Sequence, residues 1–228
     1  MLTKKKKLSK KEIKEDTLVT SYYKAYGYFE ENRSKLLLYG GALVVLIIAV
    51  VFYIQHKNSR NQEANTHLSK VMSLYDNGSY LEAIEGRAGS NLLGLKKIVE
   101  EYGSTENGEI AKVYLANAYV MLGKHEEALT YYEDFSGSNK LFKASALAGE
   151  AGYYAAKGEY EKAADLYLQA SKVSKENVLN PEYLLKAGIN FMQAGNNEQA
   201  KEMFENVRDN HNTSAAFREV DRYLVQVN

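Results

Sequence analysis

The side chains that could do chemistry are scattered along this sequence. Four histidines lie 11, 58 and 86 residues apart, so none has a second histidine one helical turn away, as a helical zinc site needs. They are His56, His67, His125 and His211. Cysteine is absent, which excludes lipoprotein anchoring, disulfides and thiolate metal sites. These counts favour a protein without a metal site or cofactor.

Two pairs of adjacent acids could suggest carboxylate catalysis. They are Glu100–Glu101 and Glu126–Glu127. Neighbouring residues in a helix do not face each other, so both pairs indicate a solvated helix face. The sequence also contains neither a phosphate-binding glycine loop followed by Lys-Ser/Thr nor a G-x-S-x-G nucleophile motif. We therefore predict that the protein is not an enzyme.

The longest apolar segment covers residues 36–54, nineteen residues without a charge, and a lysine flanks it at Lys35 and Lys57. At about 1.5 Å per residue it spans roughly 28 Å, close to the thickness of a bilayer's hydrocarbon core. A cleavable signal peptide would have a shorter apolar region nearer the N-terminus and small residues after it. We predict an uncleaved transmembrane helix over 36–54, between a basic cytoplasmic tail (1–35) and an exported domain (55–228).

The distribution of basic residues predicts the orientation of this helix. Ten lysines and arginines precede Leu36, whereas three occur in the twenty residues after Ile54. The positive-inside rule then places the N-terminus in the cytoplasm. Residues 1–54 carry ten basic and five acidic residues, which leaves 19 basic and 24 acidic residues, net −5, in the rest. Such a domain offers no basic surface for nucleic acid. The Lys4–Lys14 cluster is either a topology signal or a contact with anionic lipid.

The segment before the apolar run predicts a helix with one aromatic stripe. Leu18, Tyr22, Tyr26 and Phe29 recur at helical spacing. The stripe could lie on the membrane surface or against a partner helix. Gly40 and Gly41 form the small cluster of the apolar run, and small residues let membrane helices pack closely. We predict a partner face of Tyr22, Tyr26, Phe29, Gly40 and Gly41; general tolerance of glycine in membrane helices is the alternative.

Four glycines define a repeat in residues 55–228: Gly78, Gly123, Gly158 and Gly195. A large side chain stands four residues before each glycine and an alanine five residues after each. The spacings of 45, 35 and 37 residues fit two helices joined by a tight turn, with eight extra residues in a loop at 85–91. Residues 213–227 predict a capping helix. The fold class is therefore all-α: one N-terminal transmembrane helix, then a tetratricopeptide-like solenoid of helical hairpins.

The segment from Asn117 to Tyr132 resembles the tetratricopeptide consensus. The wider architecture, over roughly residues 15–228, resembles the YfgM-type ancillary subunit of the bacterial Sec translocon. Tyr102-Gly103-Ser104-Thr105 and the segment 183–188 are also similar to that family. The resemblance implies a bacterial inner-membrane protein with a periplasmic repeat domain.

Resemblance to the tetratricopeptide family assigns ligand binding to the concave face of the first helices. The implied groove residues are unusually apolar, with Asn117 as the exception, and include no lysine or arginine, so a carboxylate clamp for acidic tails is not expected. They are Val113, Asn117, Val120, Met121, Gly152, Ala156, Leu185, Ile189 and Met192. A groove of this kind suits partly unfolded segments. The alternative is that another part of the chain fills it.

Two functions follow from the resemblance. The first is a scaffold at a SecYEG-type translocon that meets exported polypeptides or a PpiD-type membrane-anchored chaperone. The second is a scaffold for another envelope machine, such as cell-wall synthesis or outer-membrane assembly. Partners are thus proteins and the lipid bilayer.

Overall fold

The computed structural model describes residues 10–87 and 89–227, with side chains from residue 17 onward except at position 18. Within these ranges the fold is all-α, with ten helices and no strand. The chain divides into two compact units, and the division falls between His56 and Lys57. Lys4–Lys7 of the basic cluster lie outside the described residues, as does the side chain of Leu18. The predicted domain limits at 35 and 54 stay predictions.

The first helix, α1, runs from Lys10 to Asp76. It contains a stretch that is apolar and long enough to cross a membrane, and none of its most apolar window is buried. The C-terminal part of α1 has a different character, because Ala64, Leu68 and Val71 are buried in a hydrophobic core. One helix thus contributes an exposed apolar segment to the first unit and a packed first helix to the second.

The second unit consists of four helical hairpins, one short helix between the first two hairpins, and one C-terminal capping helix. The end of α1 pairs with α2 (Tyr80–Glu85). The other hairpins are α4 (Glu106–Met121) with α5 (His125–Glu133), α6 (Lys140–Ala156) with α7 (Tyr160–Lys172), and α8 (Asn180–Gln193) with α9 (Asn197–Asn210). A short helix, α3 (Leu95–Tyr102), lies between the first two hairpins, and α10 (Phe217–Val227) ends the array.

The four register glycines form the turns inside the hairpins. Each has a positive φ, between 73° and 83°, which side chains with a Cβ rarely adopt. After each glycine, the next backbone N–H donates to the carbonyl four residues before the glycine; the bond from Lys124 to Tyr119 is 2.9 Å long. This is the Schellman arrangement that ends a helix at a glycine. The sequence register is confirmed.

The extra residues of the first repeat close a loop between α2 and α3. Gly86, with φ 79°, forms an isolated antiparallel bridge with Leu93. A Cβ on Gly94 would lie 2.3 Å from the backbone nitrogen of Gly86, so the two chain segments touch backbone to backbone. Beyond this loop Leu95 and Ile98 are fully buried, in the core positions that the shifted register predicts.

The hydrophobic core of the second unit consists of two clusters. The first includes residues of α1 to α5 together with Ala146 of α6, and the second runs from Ala144 of α6 to Leu224 of α10. The repeat register predicts that Tyr119, Tyr154, Ala128 and Ala163 are buried, because they stand where the two helices of a hairpin meet. Tyr119, Ala128 and Ala163 are buried. Tyr154 is only half-buried, because its hydroxyl reaches out to Glu133 on α5.

The last helix covers the fourth hairpin. Val220 and Leu224 of α10 are buried, and the ring of Tyr223 stacks on that of Phe204 with centroids 5.4 Å apart. The helix begins at Phe217, where the hydroxyl of Ser214 accepts a hydrogen bond from the backbone N–H. The predicted capping helix is therefore present, and it seals the apolar end of the array.

Candidate protein-binding surfaces

The predicted groove residues occupy three kinds of environment. Val113 and Leu185 are buried in the two core clusters, with 1% and 6% of their surfaces exposed. Asn117, Gly152, Ile189 and Met192 are half-buried. Val120, Met121 and Ala156 are exposed. The structure thus offers a narrower apolar surface than the full predicted set, and the groove as a binding site stays a prediction.

A cleft between the second and third hairpins brings three of these residues together. Val120, Gly152 and Ala156 line a cavity of about 220 Å³ with Leu129 and Tyr153. Its wall is formed by the end of α4, one side of α5 and the second half of α6, a helix rich in alanine and glycine. The space stays open beside Gly149, Gly152 and Ala156 of α6, which have no side chain or only a methyl group. We call it the middle cleft.

Tyr132 forms the floor of the middle cleft. Its hydroxyl donates a hydrogen bond to Oδ1 of Asn117, so the predicted groove residue orients the ring. Burial raises the pKa of Tyr132, which keeps the phenol neutral and the donor in place. A Cβ on Gly149 would lie 2.3 Å from a carbon of this ring, so α6 can pack here only with glycine.

A second apolar cleft lies at the far end of the array. Leu185 and Ile189 of α8 line a cavity of about 410 Å³ together with Val178, Leu179, Pro181 and the segment 214–216 before α10, and Glu182, Lys186 and Glu219 also line it. Val178 is 87% exposed. Because Leu185 is itself buried, the rim residues and Ile189 provide the accessible apolar surface. We call this the terminal cleft.

Sequence reasoning missed a buried ionic cluster at the start of α4. Lys112 Nζ lies 2.7 Å from Glu109 Oε1 and 2.8 Å from Asp134 Oδ2, although Glu109 and Lys112 sit in the core side of the helix. Burial disfavours the charge of Lys112, but the two carboxylates outweigh it and raise the pKa. Glu109 also accepts a 2.7 Å hydrogen bond from the backbone N–H of Ser136. The cluster holds the loop after α5.

Glu106 holds the other end of the same loop. Its carboxylate accepts hydrogen bonds from the backbone N–H of Ser138 at 3.1 Å and from that of Asn139 at 2.8 Å. Burial opposes ionisation, but these bonds outweigh it and lower the pKa of Glu106. Two acids of α4 therefore fix residues 134–139, which set how α6 lies beside α5. The spacing of charged residues in the sequence does not reveal these contacts, because the same two acids would also fit a solvent-exposed helix face.

His125 is exposed and lines the middle cleft rather than packing inside a hairpin. The repeat register predicts a packing residue here, since Tyr80 and Tyr160 hold the same position and both are half-buried. The smaller imidazole leaves more of the cleft open. Among the described residues, no group of three His, Asp or Glu side chains could hold a metal ion.

The predicted partner face lies in the first unit, on α1. Tyr22, Tyr26 and Phe29 are exposed, and the rings of Tyr22 and Tyr26 stack with centroids 6.3 Å apart. Eighteen residues of α-helix make five full turns, so Gly40 lies on the same face as Tyr22. A Cβ at Gly40 or Gly41 would meet nothing within 4 Å. The face is continuous along α1, and its role stays a prediction.

Comparison with known proteins agrees with this architecture. Two tetratricopeptide repeat family models match residues 115–175 and 182–214. The fold is a tetratricopeptide-like helical solenoid. A tetratricopeptide repeat protein from Parabacteroides merdae has a TM-score of 0.56 and 22% identity, over 73% of this chain and 60% of that chain. This chain thus spans less than two thirds of that relative.

Other solved structures show the same arrangement. TPR-like repeats of a kinesin-light-chain candidate from Podosopora anserina have a TM-score of 0.54 and 16% identity, over 73% of this chain and 86% of that chain. A single-site variant of the same protein has a TM-score of 0.55 and 16% identity, over 73% of this chain and 85% of that chain. No protein with a curated description matches this chain. Solenoids of this kind are typically non-catalytic scaffolds for protein–protein interaction.

Proposed function

We propose that this protein is a membrane-anchored, non-enzymatic scaffold at the Sec translocon, on the periplasmic side of a bacterial inner membrane. The observation that carries the anchoring is α1, whose most apolar window has no buried side chain. Nineteen uncharged residues exposed to water would be very unfavourable, whereas lipid accommodates them. The excess of basic residues before this stretch supports a cytoplasmic N-terminus.

The solenoid supplies the binding function. Its apolar middle cleft holds no lysine or arginine and is lined by the exposed side chain of Val120. Such a cleft accepts an apolar side chain without demanding a charge nearby, which suits segments of exported polypeptides before they fold. The terminal cleft offers a second apolar contact on the same chain, so two weak contacts would reinforce each other.

The assignment to a translocon rests on the resemblance to the YfgM-type family. SecYEG-type components and a PpiD-type chaperone are therefore the partners that we propose. A scaffold of another envelope machine would have the same fold and the same anchor, so the partners themselves must distinguish the two.

Photo-crosslinking in native membranes tests this proposal. A photoreactive residue replaces Val120, which lines the middle cleft and is exposed, and in the control it replaces Leu81, an exposed apolar residue of α2. We expect Val120 adducts with exported polypeptides, translocon subunits or their chaperone, and few from Leu81. Adducts only with cell-wall or outer-membrane assembly proteins would replace the translocon assignment by the second scaffold function. Equal, unspecific adducts from both positions would refute the cleft as the binding surface.

A further inference from the structure

A third cleft lies on a different side of the solenoid from the two apolar ones. It is formed by α7, α8 and α9, with a volume of about 1000 Å³. Asn180, Leu184 and Phe191 form its α8 wall, whereas Leu185, Ile189 and Met192 point more than a quarter-turn away along the same helix. It therefore opens toward the second helices of the hairpins. We call it the outer cleft.

Carboxamide side chains run along one wall of the outer cleft. Gln199, Asn206 and Asn210 all line it from α9. They are spaced seven and four residues apart, so they share one face of the helix. The row is about 16 Å long at 1.5 Å per residue, which matches about five residues of extended chain. Nδ2 of Asn210 donates a 3.4 Å hydrogen bond to Oδ1 of Asn206. A carboxamide carries an acceptor and a donor group, the same set as a peptide bond, so the remaining groups of this row can pair with polypeptide backbone.

The charge around the outer cleft is opposite to that of the domain. Residues 55–228 carry 19 basic and 24 acidic residues, net −5. The outer cleft instead has Lys172, Lys175 and His211 against a single acid, Glu202. Neither lysine has an ion-pair partner within the described part of the chain. A ligand with negative charge is therefore favoured here and disfavoured over most of the remaining surface.

We infer that the outer cleft binds an acidic polypeptide segment in extended conformation. Backbone groups pair with the carboxamide row, and acidic side chains lie beside Lys172 and Lys175. The cleft's length and paired donor–acceptor chemistry favour a polypeptide over a small anion. This site uses a different face of α8 from the terminal cleft and none of the helices that line the middle cleft. It therefore does not depend on the proposed scaffold function and can be tested separately.

Fluorescence anisotropy of the full chain in detergent micelles tests the inference. The probe is a labelled eight-residue peptide of alternating glutamate and serine, and its counterpart carries lysine in place of glutamate. We expect the acidic peptide to bind and the basic one not to bind. Lys172→Glu with Lys175→Glu should weaken binding by about tenfold or more, because both charges beside the ligand reverse.

A matched control exists on α6. Lys140 and Lys143 are exposed and have the same spacing of three residues. Lys140→Glu with Lys143→Glu should leave the affinity within about twofold, since general attraction is all that it changes. Gln199→Ala with Asn206→Ala alters exposed residues only and should weaken binding several-fold. Circular dichroism verifies that each variant is folded.

Three results would overturn the inference. One is that the acidic peptide does not bind. Another is that both lysine pairs lower the affinity equally, which would mean diffuse attraction. The third is that replacing the carboxamides leaves the affinity for the acidic peptide unchanged, which would mean that the cleft binds anions without recognising a polypeptide.

Discussion

Two glycines three residues apart on α6 give a sharp test of the packing at the middle cleft. Gly149 and Gly152 both lie inside this helix and both line the cleft. Replacing either with alanine removes the same conformational disadvantage, worth roughly 0.5–1 kcal/mol in a helix interior. The two substitutions differ only in the space available to the new methyl group. A comparison of their stabilities therefore separates the effect of packing from that of helix propensity.

The structure predicts opposite outcomes for the two changes. At Gly152 the nearest atom to a new Cβ is the hydroxyl oxygen of Tyr167 at 3.5 Å, an ordinary contact. Gly152→Ala should therefore stabilise the domain by about 0.5–1 kcal/mol. At Gly149 the new Cβ would lie 2.3, 2.4 and 2.6 Å from three carbons of the Tyr132 ring. Tyr132 is 4% exposed and tied to Asn117, so the ring cannot swing away. Overpacking of this kind costs about 1–3 kcal/mol.

Thermal unfolding followed by circular dichroism measures the difference. In a domain of this size, 1 kcal/mol corresponds to about 2–4 °C, so Gly152→Ala should unfold at least about 2 °C above Gly149→Ala. Introducing Tyr132→Leu should make Gly149→Ala as favourable as Gly152→Ala, because the obstructing ring is gone. Equal stabilisation by both alanines in the otherwise unchanged protein would refute the packing that we describe around Tyr132.

Three further predictions follow. Protease added to spheroplasts should digest residues 55–228 and spare the N-terminal tail; a protected C-terminal domain would contradict the topology. Ala128→Trp places a large ring at a buried position and should lower the free energy of unfolding by about 1–3 kcal/mol, measured by urea denaturation, whereas an unchanged midpoint would count against the repeat register. Glu106→Gln and Glu150→Gln should have opposite effects on stability at pH 7. The lowered pKa of Glu106 stabilises the fold above the unfolded value of 4.5, and this contribution is lost as the pH falls through the folded pKa. The pKa of Glu150 is raised by burial and by Glu133, so its ionisation costs stability as the pH rises. Melting points measured over a range of pH should show both effects at pH 7. The effect of Glu106→Gln should decline only below pH 4.5, whereas that of Glu150→Gln should already decline above pH 4.5. Effects of the same sign at pH 7 would refute the assignment.

The repeat was predictable because its turns are made by local chemistry. Gly78, Gly123, Gly158 and Gly195 all adopt the left-handed conformation that a Schellman turn needs, and glycine is the residue that does so at least cost. The alanines at the same offset are buried because two helices cross there. Information of this kind lies within about ten residues along the chain, so the sequence alone reveals it.

The exposure of the predicted groove residues depends on contacts between segments that are far apart in the sequence, so it could not be predicted from local patterns. Val113 and Asn117 both belong to the predicted groove, yet Val113 is in the core and Asn117 is only half-buried. How far successive hairpins close over such residues depends on the loop between them. Residues 134–139 are held by Glu106 and Glu109, 32 and 27 residues away from Ser138 and Ser136. A pattern of charges cannot distinguish these acids from solvated ones, because they are buried by a segment from elsewhere in the chain.

The division of the core into two clusters has a consequence for the order in which the domain folds. The first cluster is complete once α6 has left the ribosome, since its most C-terminal member is Ala146. The second needs α7 to α10 and closes only when Val220 and Leu224 arrive. Between them stands α6, which contributes Ala146 to the first cluster and Ala144 and Ala151 to the second, and the middle cleft is an open space beside it. Folding should therefore proceed in two steps from the N-terminus, and the second half should be able to open while the first stays intact.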